Sequence, residues 1–462
     1  MPRTHAFTDD ALGDHDAVGL AELVRRRVTT ADELRAAALA RAGQVAQLGA
    51  VVTTGPTATG APDGPLAGVP TYAKDNIEVA GMPCGHGTAA FVPRPVAAHG
   101  PVTAQLLATG LDVLGTSRMP EFGFNASTEF DGAAPARNPW DPAYSPGASS
   151  GGAGVLVAAG VVPLAHANDG GGSIRIPAAC CGLVGLKPGR GRLVPNPQGA
   201  RLPIDLIADG VVSRTVRDSA AFLAAAERYR RNPALPPIGL VEGPAARRLR
   251  IGLVLDSPTG AATCTQTRAA VLDTARTLEK LGHTVEPAAI PIGGSFVEDF
   301  VDYWGMLAFL AASTGRWLLG RDFDPARMDG LSQGLRERYR RALPRTPVIV
   351  RRLRRVQAGY ARVFAAHDLV LSPVVAHTTP PLGHLSPTVP YDELLRRLLA
   401  YVAFTPLNNV AGAPGLALPA GLSADGLPIG VHLSAAVGDE RSLLEVAYAV
   451  EAERPFPRIQ GP

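Results

Sequence analysis

Residues 147–178 read GASSGGAGVLVAAGVVPLAHANDGGGSIRIPA, and they constrain this chain more than any other stretch. Two serines, Ser149 and Ser173, are each set in glycine, and an apolar run over 155–164 separates them. Glycine lets a backbone pack closely and reach conformations that other residues avoid. Without Cβ atoms, main-chain N–H groups can also crowd around a developing oxyanion. Gly170, Gly171 and Gly172 run directly into Ser173, so one short turn can supply both a nucleophile and an oxyanion hole. An isolated Gly-Gly-Ser would more simply cap a helix. Asp169 before the turn and Arg175 after it argue for something more elaborate, with the two charges forming an ion pair that fixes its shape.

Upstream stands Lys74, in Ala73-Lys74-Asp75-Asn76. The chain carries 44 Lys+Arg, yet lysine occupies only positions 74, 187 and 280. Arginine keeps its proton in a protein, whereas a buried lysine can lose it and act as a base. A charged lysine paired with Asp75 is the plainer alternative. Gly147-Ala148-Ser149-Ser150-Gly151 also fits G-x-S-x-G, the nucleophile elbow of α/β-hydrolases. That elbow needs a strand immediately before it, and the proline-rich 138–146 has no strand pattern. No histidine sits in a motif, which argues against His377, His384 or His432 as a catalytic base. The segment 182–188 lacks the spacing of a phosphate-binding loop.

These residues carry a family resemblance. Through Ser149, Asp169, Ser173, Arg175 and Pro177, the stretch resembles the amidase signature family over about thirty positions. Gly68-Val69-Pro70 ahead of Lys74-Asp75, the segment GTSRMPEF at 115–122, Gly185-Leu186-Lys187-Pro188 and DGLPIG at 425–430 extend the likeness. It covers nearly the whole chain and thins between about residues 260 and 360. The resemblance implies a Ser–Ser–Lys triad of Ser173, Ser149 and Lys74. Ser173 would attack the carbonyl and form an acyl-enzyme that water hydrolyses. Ser149, held by a cis peptide from Ala148, would bridge Ser173 to a neutral Lys74. Position 148 is alanine where many relatives have glycine, and the pattern accepts alanine there. The N–H groups of Gly170, Gly171, Gly172 and Ser173 would form the oxyanion hole, worth ~3 kcal/mol per donor.

Asn125 and Ala148 are the candidate substrate contacts, although Asn125 equally suits an Asn-capped turn. Within the family the chain is most similar to the branch hydrolysing nylon-oligomer cyclic dimers and, in related members, carbamates. The Cys180-Cys181 pair and FTPLNN at 404–409 carry that finer likeness. The implied activity is cleavage of an amide or carbamate bond in a small, mainly neutral molecule, with no metal or organic cofactor. The segments 371–381 and 404–409, poor in charge, are expected to wall the pocket. Two alternatives stand beside this reading: a glutamine-dependent amidotransferase subunit of the same family, and a catalytically silent amidase-like binding protein.

With 46% hydrophobic and 18% charged residues, the 462-residue chain has the composition of a globular protein with a large core. No linker or repeat divides it. We therefore expect one domain over 1–462, with N-terminal helices in 1–50, a catalytic core in 60–240 and a helical wall over the site in 287–360. A net charge of +3 gives no reason to expect nucleic acid as a partner. The arginines of 336–355 read as a solvated helix face, interrupted by Pro344 and Pro347. Cys84, Cys180, Cys181 and Cys264 lack disulfide or zinc spacing and suit a reducing cytoplasm. The aspartate-rich start is unlike a signal peptide, and no apolar run is long enough for a membrane. A small-molecule substrate is thus the expected partner, and a homodimer is left open.

Hydrophobic periodicity predicts a helix over 17–42 around Thr29-Thr30, a helix over 101–109 feeding a strand at 112–115, and a helix over 155–160. Further along it predicts a strand over 161–165, a helix over 217–230, a strand over 250–255, a helix over 267–281 and a strand over 368–373. This alternation implies an α/β fold, a central mixed sheet covered by helices on both faces.

Overall fold

Buried apolar runs become strands here, and the turns between them place the polar residues. The computed structural model describes residues 3–257 and 260–461, so Met1 and Pro2 of the polar N-terminal stretch lie outside it. A small sheet contains β1 (Val51–Ala58), β2 (Pro70–Lys74) and β3 (Asp112–Ser117), in the order β1-β3-β2. β2 and β3 run parallel, and β1 pairs antiparallel with β3.

The large sheet holds β4 (Leu164–Asp169), β5 (Val184–Lys187), β6 (Ala208–Ser213), β7 (Arg250–Leu253), β8 (Thr284–Pro287), β9 (Leu369–Pro373), β10 (Gly415–Leu422) and β11 (Pro428–Ala435). Their order is β4-β6-β5-β10-β11-β9-β7-β8. β7 pairs parallel with β8 and β9, while the other ladders are antiparallel, so the sheet is mixed. Helices flank it. β5, β9 and β11 are buried along their whole length, as expected of strands covered on both faces.

Two junctions position the site. The small sheet meets the large one where Thr71 Oγ1 donates to the Leu164 carbonyl, 3.1 Å, and the Lys74 N–H donates to His166 Nδ1, 3.1 Å. This sets the end of β2 beside β4. The second junction is helix Gly151–Ala158, buried throughout, which starts two residues after Ser149. A Cβ on Gly152 would lie 2.4 Å from the Arg118 nitrogen and 2.6 Å from the Ala50 carbonyl oxygen. Both are backbone atoms that cannot swing aside, so glycine is what lets the helix dock.

Several boundaries differ from the sequence pattern. The helix expected over 17–42 is two, Ala17–Arg25 and Ala31–Gln44, and Thr30 opens the second with a capping box to Glu33. The helix expected at 155–160 begins at Gly151, its start hidden by glycines of low helix propensity. The strand expected at 161–165 instead runs Leu164–Asp169. Pro163 has no N–H for a ladder, and the polar His166 and Asn168 broke the apolar signal.

The arginine segment folds as helices Gly330–Ala342 and Thr346–Ala361, separated at Leu343–Arg345. It is less freely solvated than expected. Arg338 and Arg345 each reach Asp302 at 2.7 Å, and Arg352 reaches Asp299 at 3.5 Å, on helix Phe296–Leu318. The four cysteines are unbridged, and Cys84 and Cys264 are only half-buried. Among the described residues no helix is long and apolar enough to cross a membrane.

Glycine substitutions separate these constraints. Gly152→Ala is expected to destabilise the fold by about 1–3 kcal/mol through overpacking. Gly43, in the last turn of helix Ala31–Gln44, has open space where a Cβ would go. Gly43→Ala should be neutral or stabilise by about 0.5–1 kcal/mol. Urea denaturation of both variants checks the contrast.

Candidate active site

Lys74 ends β2 with no exposed surface. Its Nζ donates to Asn168 Oδ1 at 2.7 Å and lies 2.7 Å from Ser149 Oγ. Asn168 is itself held by Asn76, to whose Oδ1 its amide donates at 3.2 Å. Burial lowers the Lys74 pKa to about 7, against the opposing pull of the negative charges on Asp209 and Asp169. Near neutrality, then, the uncharged amine, able to accept a proton from Ser149, is readily reached. Asp75 does not pair with it. That carboxylate accepts from the Gly85 and Gly87 N–H groups instead, so the plainer ion-pair alternative does not hold.

Ser149 is buried and follows a cis peptide bond from Ala148. A Cβ on Gly123 would stand 2.9 Å from the Ser149 Oγ, so the facing backbone leaves the hydroxyl little room. Ser173 lies on the turn between β4 and helix Arg175–Cys181. It lines a cleft together with Ala148, Ser149, Gly170 and Gly171. Its hydroxyl hydrogen-bonds no other described residue and is free to meet a ligand.

A buried ion pair shapes the turn. Asp169 accepts from Arg175 Nε and Nη2, both at 2.9 Å, with both side chains fully buried. Burial alone would raise the Asp169 pKa, but the charge and hydrogen bonds of Arg175 outweigh it and hold the carboxyl well below its ordinary range. Asn409 donates to Asp169 at 2.9 Å and accepts from Arg175 at 2.7 Å. Thr405 Oγ1 donates to the Gly171 carbonyl at 2.7 Å.

Asp169 also accepts from the N–H groups of Gly172, 2.7 Å, and Ile174, 3.1 Å. This changes the expected oxyanion hole. The Gly172 donor is already committed to a side chain that caps its own turn. The N–H groups of Gly170, Gly171 and Ser173 have no partner among the described residues.

Asn125 lines the cleft, but its side chain is engaged in a capped turn. Its Oδ1 accepts from the Ala126 and Ser127 N–H groups, and its Nδ2 donates to the Leu385 carbonyl at 2.7 Å. His377, His384 and His432 do not line the cleft, and His432 lies 3.2 Å from Arg175 Nη1 behind the turn.

The walls are apolar. Phe122 and Phe124 contribute to them, as do Phe300, Trp304 and Leu307 from helix Phe296–Leu318. Asn76 and Gln198 add neutral amides, and no charged side chain of the described residues lines the cleft. The segments 371–381 and 404–409 do not form the wall as expected. The first supplies the end of β9, and the second braces the serine turn through Thr405 and Asn409. Sequence reading singled out neither Asn168 nor the aromatic pair on helix Phe296–Leu318. The i, i+4, i+7 spacing of Phe300, Trp304 and Leu307 is the signal that marks that helix face.

The ion pair gives a stability test. Arg175→Met leaves the Asp169 carboxylate buried without its cation and should cost about 3–5 kcal/mol of unfolding free energy. Arg175→Lys should recover only part of this, because a point-like ammonium cannot reproduce the bidentate contact. Chemical denaturation measures both.

Comparison with known proteins shows the family and the fold. The family described as Amidase matches residues 20–444. A protein of Mycobacterium tuberculosis strain H37Rv, assigned as an amidase, AmiC, is 49% identical over 471 residues, covering 100% of this chain and 99% of its own. The 6-aminohexanoate-cyclic-dimer hydrolase of Pseudomonas sp. strain NK87 is 33% identical, covering 86% of each chain. A solved structure of 6-aminohexanoate cyclic dimer hydrolase superposes with a TM-score of 0.86 at 30% identity, covering 98% of this chain and 99% of that one. The chain belongs to the amidase signature family of carbon–nitrogen bond hydrolases.

Proposed function

We propose that the protein hydrolyses amide or carbamate bonds of small, neutral, largely apolar molecules through Ser173, Ser149 and Lys74. One observation carries the reading: a fully buried amine lies 2.7 Å from the Ser149 hydroxyl, in the cleft that also presents the unpartnered Ser173. In the neutral state Lys74 accepts the Ser149 proton as Ser149 takes that of Ser173. The Ser173 oxygen then adds to the substrate carbonyl carbon. The N–H groups of Gly170, Gly171 and Ser173 are the free donors for the resulting oxyanion, while Asp169 and Arg175 keep the turn rigid. The proton returns through Ser149 to the leaving nitrogen, the carbon–nitrogen bond breaks, and water releases the acyl group by the same steps in reverse.

The substrate class follows from the walls. Burying a carboxylate against aromatic side chains with no cation is unfavourable. Relatives named as cyclic-dimer hydrolases of 6-aminohexanoate support amides of aliphatic chains, with carbamates as the neighbouring chemical class.

Three measurements test this. Ser173→Ala should abolish hydrolysis and labelling by a fluorophosphonate while the fold persists. Lys74→Arg should lose nearly all activity despite keeping the charge, because guanidinium stays protonated. In the unmodified protein the protonated amine is the inactive form. The rate should therefore rise with pH through about 7 and then level off. Substantial activity in Lys74→Arg, or labelling that persists without Ser173, refutes the triad.

A hydrolysis panel tests the substrate class. Uncharged cyclic or aryl amides should turn over faster than glutamine. The reverse order refutes the neutral-substrate reading.

A further inference from the structure

Behind Lys74 lies a second buried polar chain that the proposed reaction leaves unused. The Lys74 main-chain N–H donates to His166 Nδ1 at 3.1 Å, and His166 Nε2 lies 3.1 Å from Asp209 Oδ1. Asn196 Nδ2 donates to both Asp209 oxygens, at 3.0 and 3.3 Å. His166 and Asp209 are almost wholly buried, on the paired strands β4 and β6. A backbone N–H can only donate, so His166 Nδ1 is the acceptor and carries no proton. The ring is therefore a single tautomer, with its proton on Nε2 and directed at Asp209.

Other charged groups near Lys74 are differently engaged. Asp169, also on β4, acts on the amine too but is paired with Arg175. Asp75 is turned toward the Gly85 and Gly87 N–H groups and feels Arg118. β3 offers only Asp112, at the far end of its ladder with β2 and paired with Arg35. Helix Gly151–Ala158 has no titratable residue. Asp205, just before β6, adds like charge facing Asp209. Of the two carboxylates whose charge acts on Lys74, Asp209 is the one with no lysine or arginine contact among the described residues.

We infer that Asp209 is a positioning residue for the proposed reaction. Through His166 it holds the Lys74 end of β2 and supplies the fixed negative charge against which the amine works. The inference rests on the reading of Lys74 as the base. Asp209 does not line the cleft and touches no reacting atom.

Asp209→Asn tests it, because asparagine Oδ1 still accepts from His166 while the charge is gone. Loss of a nearby negative charge makes the protonated amine less favourable. The acid limb of fluorophosphonate labelling should then move to lower pH by about half a unit or more. Asp209→Glu, which keeps the charge, should retain the original limb. A merely structural role predicts a uniform loss at every pH with the limb unmoved, and that result overturns the inference.

Should Asp209→Asn fail to fold, Asp209→Glu and Asp209→Gln differ from each other in charge alone and carry the same comparison. In the unmodified protein, histidine ¹⁵N spectra should show His166 as the Nε2–H tautomer throughout the limb. Protonation on Nδ1 overturns the inference without any variant. The two readings fail separately. If Lys74→Arg labels at the original rate, the base assignment falls and this inference with it. If the limb depends on Lys74 but ignores Asp209→Asn, only the inference falls.

Discussion

An amine with no exposed surface, held between the hydroxyl of Ser149 and the amide oxygen of Asn168, is the contact on which the site depends. A buried ammonium is costly unless its surroundings compensate, and the compensation here is partial. Burial brings the amine's pKa down to about 7, and the negative charges of Asp209 and Asp169 offset only part of that effect. That balance requires two sheets to meet in register. β2 delivers Lys74, β4 delivers His166 and Asn168, and a second contact, from Thr71 to the Leu164 carbonyl, fastens the two strands together.

The serine turn solves a different problem, which is how to keep donors unpaired without letting the backbone relax. Asp169 spends its oxygens on the Gly172 and Ile174 N–H groups and on Arg175, so the loop cannot close upon itself. Gly172 adopts a φ of +139°, and a Cβ there would stand 2.4 Å from the Thr405 hydroxyl. Conformation and space both demand glycine at that position. The result is a rigid rim of free N–H groups beside Ser173. It is arranged before any ligand arrives, which is when such donors are most effective.

What could be read in the sequence follows from how local each constraint is. Ser149, Ser173 and the glycines between them announce themselves because close backbone approach leaves a contiguous imprint. Lys74 stood out because arginine so outnumbers lysine in this chain. The Asp169–Arg175 pair spans one turn and is equally local. By contrast, His166 was hidden inside a strand whose apolar pattern it interrupts, and its partner Asp209 arrives from β6, 43 residues away. The cleft wall shows the same limit. Low charge in 371–381 and 404–409 predicts a place in the cleft wall, but low charge marks only burial, and they brace the fold behind the cleft. Periodicity states which face of an element is apolar, whereas only the tertiary arrangement decides what that face meets.

The chain contains its own control for the role of burial. Lys187, at the end of β5, is also fully enclosed, and burial together with the charge of Arg175 brings its pKa to about 7, against the pull of Asp169. Burial thus lowers the pKa of both lysines, in the same direction. Its amine, however, donates at 2.7 Å to the carbonyl of the neighbouring Pro188, an oxygen with no proton to give. Lys74 faces a hydroxyl. A neutral amine can draw a proton from Ser149 but only hydrogen-bond to Pro188, so what each lysine touches sets the two apart. Desolvation makes a lysine available as a base. Position on β2, one hydrogen bond from a serine that lines the cleft, is what would make it a useful one.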